Sequence, residues 1–164
     1  MSDFKRTLVL GTGPSSIQII VNLKRQFGCH VGIAGRKSAR SKKFFNALEK
    51  SNNRICAKVQ NQNNVAGECY INEVFIGYET IKEEWDTIIF SVTTDSYLEV
   101  LKQINCEVIK KVKSVILISP TLGSNSLISN YFRRFNKYAE IISFSTYYGD
   151  TRWQNNLQPN IVLT

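Results

Sequence analysis

Two continuous apolar runs, at residues 87–92 and 114–119, constrain the fold of this chain more than any other feature of its sequence. Both lack the polar alternation of a half-exposed strand, and strands that are apolar on both faces are typical of parallel sheets covered by helices. Further strand patterns alternate with helical periodicities, and these strands lie at residues 7–10, 30–34 and 141–144. The alternation predicts an α/β fold with a doubly wound, mostly parallel sheet.

One part of the chain departs from this alternation. Residues 55–59 and 69–75 are predicted strands on either side of a turn-rich stretch at residues 61–67, which indicates a small, hairpin-like β insertion. The sequence stops at residues 160–164, within another apolar, strand-like run. We therefore expect residues 1–164 to be one domain of a longer protein.

The turn after the first strand carries the clearest binding motif. In dinucleotide-binding turns the first glycine permits the turn, the second lets the backbone approach a pyrophosphate, and the following helix N-terminus supplies N–H groups. Here a serine occupies the third glycine position, and a purely structural turn is the alternative. A Rossmann-type phosphate site is the reading we favour, and its predicted residues are Gly11, Thr12, Gly13, Pro14, Ser15 and Ser16.

The loop after the second strand predicts which dinucleotide is bound. An NAD enzyme usually places an acid there for the ribose 2′-hydroxyl, whereas this loop reads Arg36, Lys37 and Ser38, with no acid before Glu49. Arginine can bind a 2′-phosphate through two parallel hydrogen bonds and stack on adenine. The prediction is therefore NADP(H), and the alternative is a solvated basic face at the start of a helix.

Two further loops follow predicted central strands, where ligands bind in open α/β sheets. The first contains Thr93 and Thr94, and the second contains Pro120 and Thr121. We predict that both loops border the ribose and nicotinamide of the cofactor. For the first loop the alternative is that Asp95 or Ser96 caps the next helix.

The charge distribution supports an anionic ligand. The net charge is +8, and residues 1–50 contain ten of the 21 Lys and Arg residues but only two of the 13 acids. Such an excess fits either a phosphate-bearing cofactor or nucleic acid. No recognition helix or other nucleic-acid-binding motif accompanies the charges, so we predict that nucleic acid is not a partner.

Cysteine and histidine usage argues against a metal centre. Cys29, Cys56, Cys69 and Cys106 are widely spaced and His30 is the only histidine, so we predict reduced thiols, no metal and a structural role for His30. No apolar run approaches the roughly 18 residues of a membrane span, and the first residues lack a secretory signal. We expect a soluble, cytoplasmic protein without a membrane partner.

Several segments together resemble one enzyme family. They are residues 11–14, 117–121, 143–147 and, most specifically, the Ser-Thr-Tyr-x-Gly-Asp-Thr-Arg run at residues 145–152. The resemblance is to the opine-type dehydrogenases that complete nicotianamine-like bacterial metallophores, the staphylopine, pseudopaline and yersinopine synthases. It extends over the whole chain but covers only their N-terminal NADP-binding domain.

The resemblance implies a reaction and some roles. It implies reductive condensation of a histidine-derived amine with a 2-keto acid, pyruvate or 2-oxoglutarate, with reduction of the resulting imine by NADPH. Asp150 matches an aspartate that faces the substrate cleft, and Arg36 matches the arginine that binds the 2′-phosphate. The catalytic histidine of the family falls beyond residue 164, and the complete protein is expected to be a homodimer.

Two alternatives remain open on the sequence. One is a non-catalytic nucleotide-sensing module or another NADP-dependent oxidoreductase, and the other is a nucleic-acid-binding protein that uses the net positive charge. The keto acid, the amine donor and its stereochemistry are not specified by these residues.

Overall fold

The computed structural model describes residues 5–58, 66–82, 84–145, 151–154 and 159–163 of the 164-residue chain. The strands, in chain order, are β1 Arg6–Leu10, β2 His30–Gly35, β3 Arg54–Lys58, β4 Gly67–Tyr70, β5 Glu73–Ile76, β6 Thr87–Phe90, β7 Ser114–Leu117, β8 Glu140–Ser143, β9 Arg152–Trp153 and β10 Ile161–Leu163. The helices are α1 Pro14–Phe27, α2 Ala39–Lys50, α3 Tyr97–Gln103, α4 Cys106–Lys111 and α5 Ser124–Phe132.

Six of these strands form a parallel sheet in the order β5-β2-β1-β6-β7-β8. Successive residues of β1 contribute to different cores: Leu8 and Leu10 pack with α3, α4 and α5, whereas Val9 packs with α1 and α2. Helices therefore cover both faces, and the predicted doubly wound Rossmann-type sheet is confirmed. The strand order changes direction between β1 and β6, which is where such sheets bind ligands.

The helix boundaries follow local sequence signals. Gly13 is the N-cap of α1 and Pro14 is its first residue, a position where the missing N–H of proline costs no hydrogen bond. Gly28 ends the same helix in the left-handed conformation, with φ of 63°. Ser38 caps α2 by accepting a hydrogen bond from the Ser41 backbone N–H at 3.2 Å.

A second sheet, in the order β4-β3-β10-β9, covers the outer side of α1. The predicted β3–β4 hairpin is confirmed by its antiparallel register. The unit is larger than the predicted small insertion, however, because β10 pairs parallel with β3 and antiparallel with β9. All six residues from Ser16 to Val21 are buried, because α1 lies between two sheets.

One expectation for secondary structure was wrong, and one helix was not predicted. Residues 69–75 do not form one strand: β4 ends at Tyr70 and β5 begins at Glu73. At Asn72 the chain passes from one sheet to the other, and its side-chain oxygen accepts a hydrogen bond from Val31 N–H at 2.9 Å. Helix α4 was not predicted, although Asn105 caps it through the Glu107 N–H at 2.9 Å. In the described part of the chain, no helix is long and apolar enough to cross a membrane.

Candidate functional site

A cleft of about 230 Å³ lies at the carboxyl ends of β1, β2 and β6. The turn after β1, the loop after β2 and the loop after β6 contribute its walls, and side chains of α3 line it as well. The cleft therefore occupies the point where the strand order changes direction. It brings together three of the segments that the sequence singles out for binding.

Gly11 is required by the path of the turn. Its φ is +122°, a conformation that L side chains rarely adopt, and its N–H donates to the Ala34 carbonyl at 2.8 Å. A Cβ placed on Gly11 would lie 2.5 Å from the carbonyl oxygen of Ser91. This glycine lets β1, β2 and β6 approach closely, so its role here is structural.

Gly13 differs from Gly11 both in its backbone conformation and in the space available for a side chain. Its φ of −81° and ψ of 170° are accessible to any residue, and a Cβ added there would meet no heavy atom of the described residues within 4 Å. Gly13 lines the cleft beside the N-terminus of α1. The space beside it suits an anionic group, because a helix N-terminus carries partial positive charge and exposed N–H groups.

The remaining residues of the motif begin α1. Pro14 and Ser15 are half-buried, whereas Ser16, at the third glycine position, is fully buried. The Ser16 hydroxyl has no hydrogen-bond partner among the described residues. Ser16 thus provides the small side chain that close packing requires, and its hydroxyl is not directed into the cleft.

The basic residues of the loop after β2 make different contacts. Arg36 is exposed, lines the cleft and takes part in none of the ion pairs among the described residues. Lys37 instead forms an ion pair with Glu79, and its hydrogen bond lowers the pKa of that carboxyl. Arg40, which the sequence interpretation left unassigned, also lines the cleft. The cations that face the cleft are thus Arg36 and Arg40.

Tyr78 is a cleft residue that sequence reasoning missed. It is buried, and burial raises the pKa of its hydroxyl, against the opposing effects of the Arg36 charge and a hydrogen bond to the Arg36 backbone. This contact holds the loop after β2 against the 3₁₀ turn at Tyr78–Thr80. No sequence motif marks Tyr78, because its place depends on β5 pairing with β2.

The loop after β6 contributes one of its two predicted threonines. Thr93 lines the cleft, and its hydroxyl lies 3.1 Å from that of Ser96. The Thr94 side chain instead hydrogen-bonds the buried hydroxyl of Tyr97, which donates to the Ile118 carbonyl at 3.3 Å. Ser96 is the residue before α3 but makes no side-chain cap, so the capping alternative fails for Ser96.

The loop after β7 lies at the same edge of the sheet but outside this cleft. Pro120 is half-buried and Thr121 is exposed, and the Thr121 hydroxyl lies 3.3 Å from that of Ser124. Because β7 neighbours β6, this loop lies next along the edge. The structure therefore leaves Pro120 and Thr121 as predicted contacts for a more distant part of the ligand.

The predicted substrate-facing residue, Asp150, lies outside the described residues. Its neighbour Thr151 has its hydroxyl 3.5 Å from Oε1 of Gln18, which is buried on the second turn of α1. His30 begins β2 at the opposite edge of the sheet and contacts the Glu73 carboxylate at 2.5 Å. That position agrees with the structural role predicted for His30.

The four cysteines are free thiols. The sequence also suggested that most of them are buried, and this was wrong, because only Cys29 is buried and the other three are partly exposed. Burial raises the pKa of Cys29, Cys56 and Cys69, in the last case to about 11, so these thiols are poor nucleophiles at neutral pH. The described residues bring no three potential metal ligands of the His, Cys, Asp or Glu type together.

Comparison with known proteins identifies the family. A family model described as staphylopine dehydrogenase matches residues 5–164. The chain is 36% identical over 165 residues to staphylopine synthase of Staphylococcus aureus, covering 97% of this chain and 37% of that protein. It is 29% identical over 154 residues to yersinopine synthase of Yersinia pestis, covering 90% of this chain and 33% of that protein.

A solved structure of yersinopine dehydrogenase with NADP+ bound superposes with a TM-score of 0.88 at 26% identity, covering 99% of this chain and 39% of that one. The chain thus spans between 33% and 39% of the length of these relatives. Both the family model and the relatives extend over almost all of its residues. The chain belongs to the staphylopine dehydrogenase family.

Proposed function

We propose that this chain is the NADP(H)-binding domain of an opine-type dehydrogenase. The observation that carries the proposal is the space beside Gly13 that the described residues leave open, in one cleft with the guanidinium of Arg36, which forms no ion pair with those residues. A pyrophosphate site and a cation for a 2′-phosphate are the two features that distinguish an NADP site. An NADP+-bound relative with the same fold supports the proposal.

The residues present fit such a cofactor. Gly13 and the α1 N-terminus would hold the pyrophosphate, Arg36 and Arg40 would meet the 2′-phosphate, and Tyr78 would form part of the adenosine pocket. NADPH, when bound, supplies a hydride. The protein contributes charge complementarity from Arg36 and Arg40 and a fixed backbone turn at Gly11–Gly13.

The substrates belong to the same proposal. We propose that the enzyme condenses a histidine-derived amine with a 2-keto acid, pyruvate or 2-oxoglutarate, in metallophore biosynthesis. The names of the relatives, staphylopine synthase and yersinopine synthase, support this class of product. Asp150 remains the proposed substrate-facing residue of this chain, and the catalytic histidine is proposed to lie in the portion of the relatives that this chain does not match.

The first test is a comparison of cofactors. The protein is expected to bind NADPH at least about tenfold more tightly than NADH, because the 2′-phosphate adds charge-assisted hydrogen bonds to Arg36. Calorimetric titration with each nucleotide at one salt concentration measures the ratio. Equal affinities, or tighter binding of NADH, would contradict the NADP(H) assignment.

A second test concerns turnover by residues 1–164 alone. We expect NADPH binding but no oxidation of NADPH when pyruvate or 2-oxoglutarate is supplied with a histidine-derived amine. The reaction requires both substrates to be held with an acid–base group, and the chain spans only 33% to 39% of the length of the staphylopine and yersinopine enzymes compared above. Absorbance of NADPH at its near-ultraviolet band gives the rate. Sustained, protein-dependent loss of absorbance would place the catalytic groups within this chain.

A further inference from the structure

Three hydroxyl groups connect the turn after β1 to the start of α2. Ser41 Oγ lies 3.1 Å from Ser38 Oγ and 3.4 Å from Thr12 Oγ1. Ser41 is 4% exposed, yet it lines the cleft. The hydroxyl of Ser41 thus lies between the segment proposed to bind the pyrophosphate and the segment proposed to bind the 2′-phosphate.

The structure gives the direction of the first of these hydrogen bonds, and the contact between Ser41 and Thr12 can run either way. Ser38 Oγ accepts from the Ser41 backbone N–H at 3.2 Å, and it donates its single proton to Ser41 Oγ. Ser41 Oγ then has one proton left, and its remaining neighbour in the chain of hydroxyls is Thr12 Oγ1. If Ser41 donates to Thr12, the proton of Thr12 is available to a group outside the chain of hydroxyls.

Thr12 is placed where its hydroxyl can serve both Ser41 and a ligand in the cleft. Thr12 is half-buried between Gly11 and Gly13, and all three residues line the cleft. Its methyl group packs so closely on Gly35 that a Cβ added to Gly35 would lie 2.5 Å from it. This packing selects one rotamer of the β-branched side chain and holds its hydroxyl toward Ser41.

We propose that Ser41 is a positioning residue for the cofactor, because it makes the Thr12 hydroxyl a donor to a pyrophosphate oxygen. The inference rests on the proposed NADP(H) site. A hydroxyl that already accepts a hydrogen bond is a stronger donor, and the N-terminus of α2 polarises the chain in the same direction. Ser41 acts without touching the cofactor, through Thr12.

The experiment compares Ser41→Ala, Thr12→Val and the double variant with the wild-type chain. Ser51→Ala is the matched control, because its hydroxyl bonds carbonyl groups at the other end of α2, Leu48 at 3.1 Å and Arg54 at 2.9 Å. Each protein is titrated with NADPH and, by competition, with adenosine 2′-monophosphate. The second ligand carries the 2′-phosphate but no pyrophosphate, so it reports whether the rest of the cleft is intact.

Thr12→Val is expected to weaken NADPH binding about tenfold or more, and Ser41→Ala about three- to tenfold. The double variant should bind NADPH as Thr12→Val does, within about twofold, since Ser41 acts only through Thr12. Binding of adenosine 2′-monophosphate should change less than about twofold in every variant. Ser51→Ala should match wild type with both ligands.

Three results would overturn the inference and leave the proposed function standing. They are unchanged NADPH affinity in Ser41→Ala, independent losses that add in the double variant, and an equal loss of both ligands in Ser41→Ala, which would mean a general distortion of the cleft. If the wild-type chain binds neither ligand, the proposed function itself is overturned, and the inference falls with it.

Discussion

Replacing Gly13 with valine is expected to lower NADPH affinity by at least about 100-fold while the chain stays folded. The backbone at Gly13 is extended, and an added Cβ would meet no atom of the described part of the chain within 4 Å, so we expect the fold to accept the larger side chain. The valine would instead fill the space beside the α1 N-terminus that the pyrophosphate is proposed to occupy. Titration with NADPH, together with circular dichroism and a melting curve, measures both effects.

Gly11 provides the matched control within the same motif. Gly11→Val is expected to destabilise or unfold the chain, because its Cβ would lie 2.5 Å from the Ser91 carbonyl oxygen at a φ of +122°. The two glycines should therefore give opposite results, with loss of binding in one case and loss of folding in the other. If Gly13→Val binds NADPH normally, the turn is structural and the phosphate site lies elsewhere.

Much of the fold could be predicted because its signals are local. The apolar runs that form β6 and β7 are buried at every strand position. The two glycines that flank α1, Gly13 and Gly28, determine where this helix begins and ends through local backbone conformation. The division between β4 and β5 could not be predicted in the same way. It depends on the Asn72 contact with Val31, a pairing between residues far apart in sequence.

In the candidate site, too, features set by local sequence could be predicted, whereas features set by long-range strand pairing could not. The position of Gly13 and Arg36 at the carboxyl edge of the sheet could be predicted from the sequence, because a strand–turn–helix motif and the loop after the next strand have fixed places in this architecture. Tyr78 and Glu79 could not be assigned. They reach the loop after β2 only because β5 is the edge strand next to β2, and the sequence had suggested a single strand over residues 69–75.

The contact between Glu79 and the loop after β2 changes the roles expected for the basic residues of that loop. The sequence predicts that Arg36 and Lys37 both contact the 2′-phosphate, but Lys37 is paired with Glu79 whereas the Arg36 guanidinium lines the cleft. Because Lys37 lowers the pKa of Glu79, that carboxylate stays ionised, and the pair persists, at neutral and mildly acidic pH. A cation that already has a partner gains less from a phosphate than one that does not.

Arg36→Ala is therefore expected to remove most of the preference for NADPH over NADH, about 1.5–3 kcal/mol, with NADH affinity nearly unchanged. The loop should keep its conformation, because the Gly77 N–H donates to the Gly35 carbonyl at 2.7 Å and Ser38 caps α2 whichever side chain residue 36 carries. Lys37→Ala, the neighbouring control, should change the preference by less than about 0.5 kcal/mol, as expected for an exposed ion pair. Calorimetry with both nucleotides, at low and high salt, gives the ratio for each variant. A large loss in Lys37→Ala with none in Arg36→Ala would mean that Lys37 leaves Glu79 to bind the 2′-phosphate, and that the guanidinium at the cleft serves another group of the ligand.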